Sequence, residues 1–214
     1  MSGMQFIKMS GSGNDFIFFD GRMVQRGVEE WQALARKLCR RGLSVGADGL
    51  VVLQPVEDHP EVQFEWLFLN ADGSEAEMCG NAGRCAAHVA WKTRLVSEKK
   101  MAFMTLAGVI HAELTERGAK VQLTDPTDLR PEMSLALKSG AIPVGFVNTG
   151  VPHAVWFVED AGTVDVKTWG REVRFHDDFK PAGTNANVAE VLGPDEIRIR
   201  TYERGVEDET LACG

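Results

Sequence analysis

The chain has 214 residues, of which 44% are apolar and 25% are charged, a composition that is ordinary for a soluble globular protein with a sizeable core. Its formal net charge of −8 argues against a surface that binds nucleic acid or anionic membranes. No apolar run approaches the ~20 residues that span a bilayer, and the N-terminus lacks the charged start and apolar core of a signal peptide. We therefore expect a cytoplasmic protein.

The first half of the chain alternates short apolar strands with two helices. Strands are predicted at 6–9, 16–20, 50–53, 62–69, 101–106, 109–114 and 119–124, and helices at 29–41 and 80–94. Asn14 lies at the tip of a polar loop, 10–15, between the first two strands. From the sequence alone, its side chain is equally well explained as a turn former.

The composition changes between residues 125 and 140. Pro126, Pro131 and polar residues interrupt the strand pattern there, so we place a domain boundary between an N-terminal lobe, 1–126, and a C-terminal lobe, 127–214. In the second lobe we predict strands at 141–147, 154–158, 185–192 and 196–202, and a helical or irregular segment at 166–175.

The four cysteines, Cys39, Cys79, Cys85 and Cys213, have no metal-ligand spacing and no Cys-x-x-Cys pair. A reducing compartment would keep them as thiols. We therefore expect neither a metal site nor a redox centre.

Cys79 and the helix that follows it are the feature that points to chemistry. Residues 80–94 include six Gly or Ala and no proline, with small side chains on one face at helical spacing. The first N–H groups of a helix lack helical partners and its dipole is positive there, so this end can hold a carboxylate and lower a thiol pKa. We interpret Cys79 as an acid/base group. A buried structural thiol is the alternative, and it is the commoner role of a lone cysteine.

The same feature occurs a second time. Glu75-x-x-x-Cys79-Gly80 recurs as Glu209-x-x-x-Cys213-Gly214, and each copy follows a β-rich stretch of comparable length. If the two halves are related by approximate two-fold symmetry, two thiols could face one small molecule from opposite sides. A thiolate that removes a proton from one face of a carbon, and a thiol that returns one to the other face, would invert that carbon. No pyridoxal, metal or other cofactor is then required.

Several motifs together resemble the diaminopimelate epimerase family, and they occur in the family's order along the whole chain. A lone Met-Cys-Gly-Asn would be weak evidence, whereas the ordered set is highly specific. The motifs are Ser10-Gly11-Ser12-Gly13-Asn14-Asp15-Phe16, Gly46-Ala47-Asp48-Gly49, Asn70 through Asn81, Gly150-Val151-Pro152-His153, Gly183-Thr184-Asn185-Ala186-Asn187, and Tyr202-Glu203-Arg204-Gly205 leading to Cys213-Gly214.

The resemblance implies roles for the matching residues. Cys79 and Cys213 would be the catalytic pair, and the backbone N–H groups of Gly80, Asn81 and Gly214 would bind the reacting carboxylate. No metal ligand is implied.

Recognition of the rest of the substrate is implied in the same way. Glu203 would lie near the reacting amino group and the thiols, and Arg204 would bind the distal carboxylate, which suits a planar guanidinium. Asn14 would contact the substrate, and Asn70 and Asn185 would complete recognition of the distal end. A lone histidine is more often a structural residue. The resemblance nevertheless favours His153 beside one catalytic thiol, where it and Glu203 would help to set the protonation of that thiol.

We expect an α+β protein of two pseudo-symmetric lobes, each a curved, mostly antiparallel sheet around a central helix. The implied reaction is the cofactor-independent interconversion of LL- and meso-diaminopimelate, an isomerase step in lysine and peptidoglycan precursor biosynthesis. The expected partner is the small amino-acid substrate, with neither nucleic acid nor membrane, and a homodimer is left open.

Three alternatives remain. The same fold could racemise another amino acid, such as histidine, although Arg204 and the asparagines favour a second carboxylate. A thiol redox or metal-binding protein is disfavoured by the distant cysteines. The third is a non-catalytic amino-acid-binding module.

The two halves differ in length. The first continues from Gly80 to about Pro126, whereas the second stops at Gly214, so we expect a truncated second lobe without the helix that Cys213 would begin. We predict that this chain lacks half of the carboxylate site and is weakly active or inactive. Normal epimerisation by residues 1–214 would contradict this prediction.

Overall fold

The computed structural model describes residues 3–57, 59–211 and 213. The chain folds into two compact units, with the division between Thr124 and Asp125. Each unit is built on one sheet with few helices, so the α+β class is confirmed. Each described helix is too short or too polar to cross a membrane.

The first unit contains a seven-stranded sheet in the order β1-β2-β3-β4-β5-β6-β7. The β2/β3 and β4/β5 pairs are parallel and the other pairs are antiparallel. The strands are β1 (Ile7–Gly11), β2 (Asn14–Asp20), β3 (Gly49–Pro55), β4 (Phe64–Asn70), β5 (Lys100–Thr105), β6 (Gly108–Thr115) and β7 (Gly118–Gln122), and the helices are α1 (Val28–Leu38) and α2 (Gly80–Lys92).

The seven-stranded sheet curls around α2. This helix contacts β1 and β2 near one edge of the sheet and β6 and β7 at the other, which a flat sheet could not do with one thin helix. Side chains alternate between the two faces of a strand. In β2, Phe16 and Phe18 pack with the α2 cluster, while Ile17 and Phe19 pack with the α1 cluster on the opposite face.

Small side chains allow α2 to be enclosed. Ala82, Ala86 and Ala90 are fully buried, as the helical spacing predicts. The helix ends at Lys92, two residues before the predicted end. Arg94 has a φ of +56°, a left-handed conformation that cannot continue the helix.

The second unit contains a six-stranded sheet in the order β13-β12-β11-β10-β9-β8. Only β10 and β11 pair in parallel among these strands. The elements are β8 (Thr127–Leu137), β9 (Gly140–Asn148), β10 (Pro152–Phe157), α3 (Val166–Arg174), β11 (Asn185–Gly193), β12 (Glu196–Tyr202) and β13 (Glu209–Thr210).

The prediction that residues 125–140 break the strand pattern is wrong. They contain the whole of β8, which lies at the edge of its sheet and pairs with β9. Its register shifts on both sides of Arg130, between Thr127 and Met133. Pro131 is tolerated because an edge strand has one unpaired side and a bulge leaves a residue outside the ladder.

The two units repeat one order of connections. In β1-β2-α1-β3-β4 and again in β9-β10-α3-β11-β12, an antiparallel pair is followed by a helical crossover to a parallel neighbour and a second antiparallel pair. Cys79 follows the last strand of the first copy and Cys213 follows the last strand of the second. The expected pseudo-symmetry therefore extends from the cysteine motif to the topology.

Helix α3 covers one face of the second sheet, where it packs with Ala154, Val188 and other core residues. Asn187 is paired with Val155 on one side and Thr201 on the other. Because side chains alternate along a strand, this row faces away from α3. Asn187 and Thr201 are buried there, so this face carries polar groups removed from water.

Candidate active site

Cys79 is the N-cap residue of α2. Its backbone is extended, with φ −145° and ψ 120°, and its carbonyl oxygen accepts the first helical hydrogen bond from Gly83 N at 2.9 Å. The N–H groups of Gly80 and Asn81 belong to the first turn, which has no preceding helical carbonyls, and the positive end of the dipole lies there. A half-buried thiol and an anion-binding helix end are therefore adjacent.

The turn between β4 and Cys79 is held by its own hydrogen bonds. Asn70 N donates to Ser74 O, and Gly73 N donates to Asn70 O, each at 2.9 Å. The Asn70 side chain also belongs to the turn, because its Nδ2 donates to Ser74 Oγ at 3.0 Å. Ala76 N donates to Phe68 O at 2.9 Å, which fixes the turn against β4.

Asn14 and Asn81 meet at the first turn of α2. Asn81 Nδ2 donates to Asn14 Oδ1 at 2.5 Å, and both residues are only 4% exposed. The expectation that Asn14 lies at the tip of a loop is wrong. It is the first residue of β2, and the hairpin turns at Ser12 and Gly13, whose φ values are +53° and +99°.

Cys39 and Cys85 are buried structural thiols. Cys39 packs in the α1 cluster and Cys85 in the α2 cluster, where they are 4% and 3% exposed. Burial raises the pKa of Cys85 to about 11. Burial, helped by the charges of Asp15 and Asp48, raises the pKa of Cys39 to about 12. Both thiols therefore keep their protons at neutral pH.

In the second unit, Asn185 supports the turn that carries Glu203 and Arg204. Arg204 N donates to Asn185 Oδ1 at 2.8 Å, and Glu203 N donates to Asp208 O at 3.1 Å. The turn needs glycine at Gly205, whose φ is +91°.

Glu207 closes the same turn. Its N–H donates to Glu203 O at 2.8 Å, and its Oε1 accepts from Gly205 N at 3.1 Å and from Arg174 Nε at 3.0 Å. Arg174 is the last residue of α3. The crossover helix of the second unit therefore anchors the predicted substrate turn through an ion pair.

His153 lies beside Asn187 on the polar face of the second sheet. Asn187 Nδ2 donates to Ala154 O at 3.1 Å and is 3.3 Å from His153 Nδ1, and Asn187 Oδ1 accepts from Thr201 Oγ1 at 2.9 Å. Burial, and then the charge of Arg204, lower the pKa of His153, although its hydrogen bond with Asn187 acts in the opposite direction. The imidazole is therefore favoured in its neutral form.

Cys213 is held as a thiol. Burial raises its pKa to about 11, and the Glu203 carboxylate adds to the rise, while a hydrogen bond with Thr201 reduces it. The predicted role of the Gly214 N–H falls on a residue outside the described part of the chain.

The structure brings the predicted site residues together in two groups, one in each unit. Asn14, Asn81 and Cys79 share the α2 N-terminus, and Arg204, Asn185 and the Glu203–Cys213 electrostatic pair share the end of β12. Among the described residues, no group of three or more His, Cys, Asp or Glu is placed to hold a metal ion.

Three polar residues that support these groups are not among the predicted site residues: Asp48, Asn187 and Thr201. Asp48 and Asn187 lie inside recognised motifs, and Asn187 also shares a strand face with Asn185. A search for polar residues at alternate positions of a buried strand would have found Asn187.

The chain matches known proteins over nearly its whole length. A family model described as Diaminopimelate epimerase matches residues 6–128 and 145–214. A protein named diaminopimelate epimerase from Aquifex aeolicus (strain VF5) is 48% identical over 221 residues, which cover 99% of this chain and 77% of the relative. A protein of the same name from Hydrogenobaculum sp. (strain Y04AAS1) is 43% identical over 220 residues, covering 99% of this chain and 79% of the relative.

A solved structure matches the fold. The crystal structure of a probable proline racemase from Agrobacterium radiobacter K84 aligns with a TM-score of 0.71 and covers 93% of this chain and 70% of that one. Since the two sequences are 13% identical, this likeness concerns the fold alone.

Proposed function

This chain belongs to the diaminopimelate epimerase family, and from that membership we propose that Cys79 and Cys213 are the paired acid and base of its reaction. The protein is an isomerase that epimerises diaminopimelate. The observation that carries the proposed mechanism is the position of Cys79, a half-buried thiol at the N-cap of an enclosed helix.

The proposed chemistry is a proton transfer on each face of the α-carbon. One cysteine, as thiolate, removes the α-proton, and the other, as thiol, delivers a proton from the opposite side. The carbanion places its charge in the adjacent carboxylate, where the first-turn N–H groups of Gly80 and Asn81 would stabilise it. Removing one such donor typically lowers the rate by roughly 10²–10³-fold.

The protonation of Cys213 supports a division of roles. Its raised pKa, about 11, keeps it as a thiol at neutral pH, which suits the proton donor. The Glu203 carboxylate contributes to that state. Since the reaction is reversible, the thiolate and thiol exchange roles in the reverse direction.

We propose that the remaining predicted residues recognise the substrate. Arg204 would bind the distal carboxylate through its guanidinium, and Glu203 would lie near the reacting amino group. For Asn185 we propose a supporting role, because its Oδ1 accepts from Arg204 N and so fixes the backbone beneath that guanidinium. Asn70, whose amide is hydrogen-bonded within its turn, would contact the distal end from β4.

The proposal includes Asn14 as a second contact at the α2 end, His153 as a neutral group beside the Cys213 side of the site, and Gly214 as a backbone donor. The lowered pKa of His153, caused first by burial, supports its role as a neutral group. We also propose that the protein works in the reducing cytoplasm, where its four cysteines would stay as thiols.

Deuterium exchange tests the proposal. Diaminopimelate is incubated with the protein in D₂O, and label at the α-carbon is measured by mass spectrometry. Because label accumulates over hours, even slow turnover is measurable. We expect incorporation with the unaltered chain and a loss of at least roughly 10²-fold with Cys79→Ala.

Cys39→Ala is the matched control, because Cys39 is a buried thiol in a different cluster. It should exchange at the unaltered rate. Undiminished exchange by Cys79→Ala would refute the two-thiol mechanism, and no exchange by the unaltered chain would show that residues 1–214 do not catalyse the reaction.

A further inference from the structure

We propose that Asp48 and Arg84 are positioning residues. They fix the orientation of two hydrogen-bonded side-chain amides, those of Asn81 and Asn14, which we call the relay. The orientation in which Asn14 meets the substrate is thereby fixed as well. The inference rests on the proposed function in one respect, because it takes Asn14 as a substrate contact. It assigns a role to the Gly46-Ala47-Asp48-Gly49 motif, which otherwise has none.

The relay is a continuous line of hydrogen bonds at the N-terminal end of α2. Arg84 Nη2 donates to Asn81 Oδ1 at 2.5 Å, and Asn81 Nδ2 donates to Asn14 Oδ1 at 2.5 Å. Asn14 Nδ2 then donates to Asp48 Oδ2 at 3.2 Å. Every donor points in the same direction, from the guanidinium through the two amides to the carboxylate.

The two ends of the line determine that direction. An amide can present either its oxygen or its NH₂ group to a neighbour, whereas a guanidinium only donates and a carboxylate only accepts. With Arg84 at one end and Asp48 at the other, each amide has a single orientation that satisfies both neighbours. Rotating either amide by 180° would place a donor against a donor or an acceptor against an acceptor.

Asp48 is itself held from other sides. Its Oδ1 accepts from Arg41 Nη2 at 2.7 Å, and its Oδ2 accepts from Asp15 N at 3.0 Å. Arg41 also pairs with the Asp15 carboxylate, which Lys8 approaches at 3.0 Å. The acceptor end of the relay is therefore held in position by a guanidinium and a backbone N–H group.

Arg84 is fixed at the donor end. Its Nη2 also donates to Ser12 Oγ at 2.8 Å, which ties the helix to the turn between β1 and β2. Because Asn14 and Asn81 are each 4% exposed, water has little access to repair a reversed amide. A reversed Asn14 would present the wrong group to the substrate, and a reversed Asn81 would disturb the first turn behind Cys79.

The alternative is that these hydrogen bonds form an ordinary buried polar network, which stabilises the fold and has no effect on the substrate. The decisive experiment therefore compares Asp48→Asn with Asp20→Asn. Asp20, at the opposite end of β2, pairs with Arg22, whose Nη2 donates to Thr93 O beyond the C-terminal end of α2. Both variants remove one carboxylate charge next to an arginine, but only Asp48 ends the relay.

We expect Asp48→Asn to lower kcat/KM for α-proton exchange by roughly 10- to 100-fold, because either orientation of the new amide places its NH₂ group against a donor, Arg41 Nη2 or Asn14 Nδ2, and removes a hydrogen bond to a charged group. Asp20→Asn should stay within about twofold, as is usual for surface ion pairs. Asp48→Glu keeps an acceptor-only group and should recover part of the loss. Equal kcat/KM values for Asp48→Asn and Asp20→Asn would overturn the proposal.

A second readout does not depend on activity. In ¹H–¹⁵N spectra, the side-chain NH₂ signals of Asn14 and Asn81 are assigned from variants that lack each amide. Asp48→Asn should shift the Asn81 signals, two hydrogen bonds away, and Arg84→Met should shift the Asn14 signals from the other end. If either change affects only its nearest amide, the relay does not exist. Arg84→Met also provides the test if Asp48→Asn fails to fold.

The two readouts separate the possible failures. If diaminopimelate shows no exchange with the unaltered chain while both distant shifts occur, the proposed function fails and the relay remains. If exchange occurs but the distant shifts do not, the proposed function remains and the relay is refuted.

Discussion

Gly11→Ala tests how tightly the sheet holds the first turn of α2. A methyl group at Gly11 would lie 2.8 Å from the Asn81 carbonyl oxygen and 3.0 Å from Cys85 Sγ. Unstrained contacts of these kinds are about 3.5 Å or longer, so the strand or the helix must move by roughly half an ångström. The oxygen belongs to the backbone and cannot rotate away.

The expected cost follows from that overlap. Overpacking a well-packed core costs about 1–3 kcal/mol, and each kcal/mol lowers the Tm of a chain of this size by roughly 2–4 °C. At about 2 kcal/mol, the middle of that range, we expect Gly11→Ala to lower the Tm by roughly 4–8 °C. The α-proton exchange rate should fall by about tenfold, because a misplacement of about 1 Å at an active site costs up to roughly 10²-fold.

Thermal denaturation followed by circular dichroism, together with the deuterium exchange assay, checks this prediction. Gly193→Ala is the matched control, since a methyl group there meets no atom within 4 Å. If the two variants melt at the same temperature and exchange at the same rate, the first turn of α2 is not confined by β1 and the packing argument is wrong.

Two further predictions concern stability. The pKa of Cys39 is raised from 9.0 to about 12, first by burial, so its contribution to stability is complete below pH 9.0 and is lost as the pH rises toward about 12. Urea titrations should show that Cys39→Ala reduces the alkaline decline in unfolding free energy by up to about 1.4 kcal/mol per pH unit, and an unchanged slope would contradict this. Arg174→Met should lower the free energy of unfolding by about 2 kcal/mol, because it leaves the Glu207 carboxylate without its partner at 3.0 Å. Lys167→Met, in an exposed pair, should lower the free energy of unfolding much less, and equal losses in the two variants would count against a structural role for Arg174.

The elements predicted well from the sequence are those whose pattern matches their surroundings. The strand at 196–202 has the predicted bounds, and α2 begins at the predicted Gly80 because its small residues repeat at helical spacing. The strand β8 is not predicted because a proline usually breaks a strand, although a position at the edge of the sheet removes that conflict. Whether a strand lies at the edge of its sheet depends on how distant segments pair, and the local sequence carries no information about that pairing.

The candidate site was predictable as a set of residues but not as a set of contacts. Asn14 and Asn81 were each identified, yet their hydrogen bond joins residues 67 positions apart. Asp48 lies inside a recognised motif, but nothing local indicates its hydrogen-bond partner, because an acidic residue in a glycine-rich turn is typical of turns in general. The structure alone shows that its carboxylate completes a line of oriented amides.

The slenderness of α2 limits how this protein can be redesigned. Alanine and glycine have no rotamer entropy to lose, so the helix enters the interior at little conformational cost. The side chains around the helix are correspondingly close. A methyl group at Gly83 would lie 3.1 Å from Met78 Cε and 3.4 Å from Val121 Cγ1. Attempts to alter substrate choice are therefore better directed at the turns around Asn70 and Arg204, for which we propose substrate contacts, because the helix that follows Cys79 has no room for larger side chains.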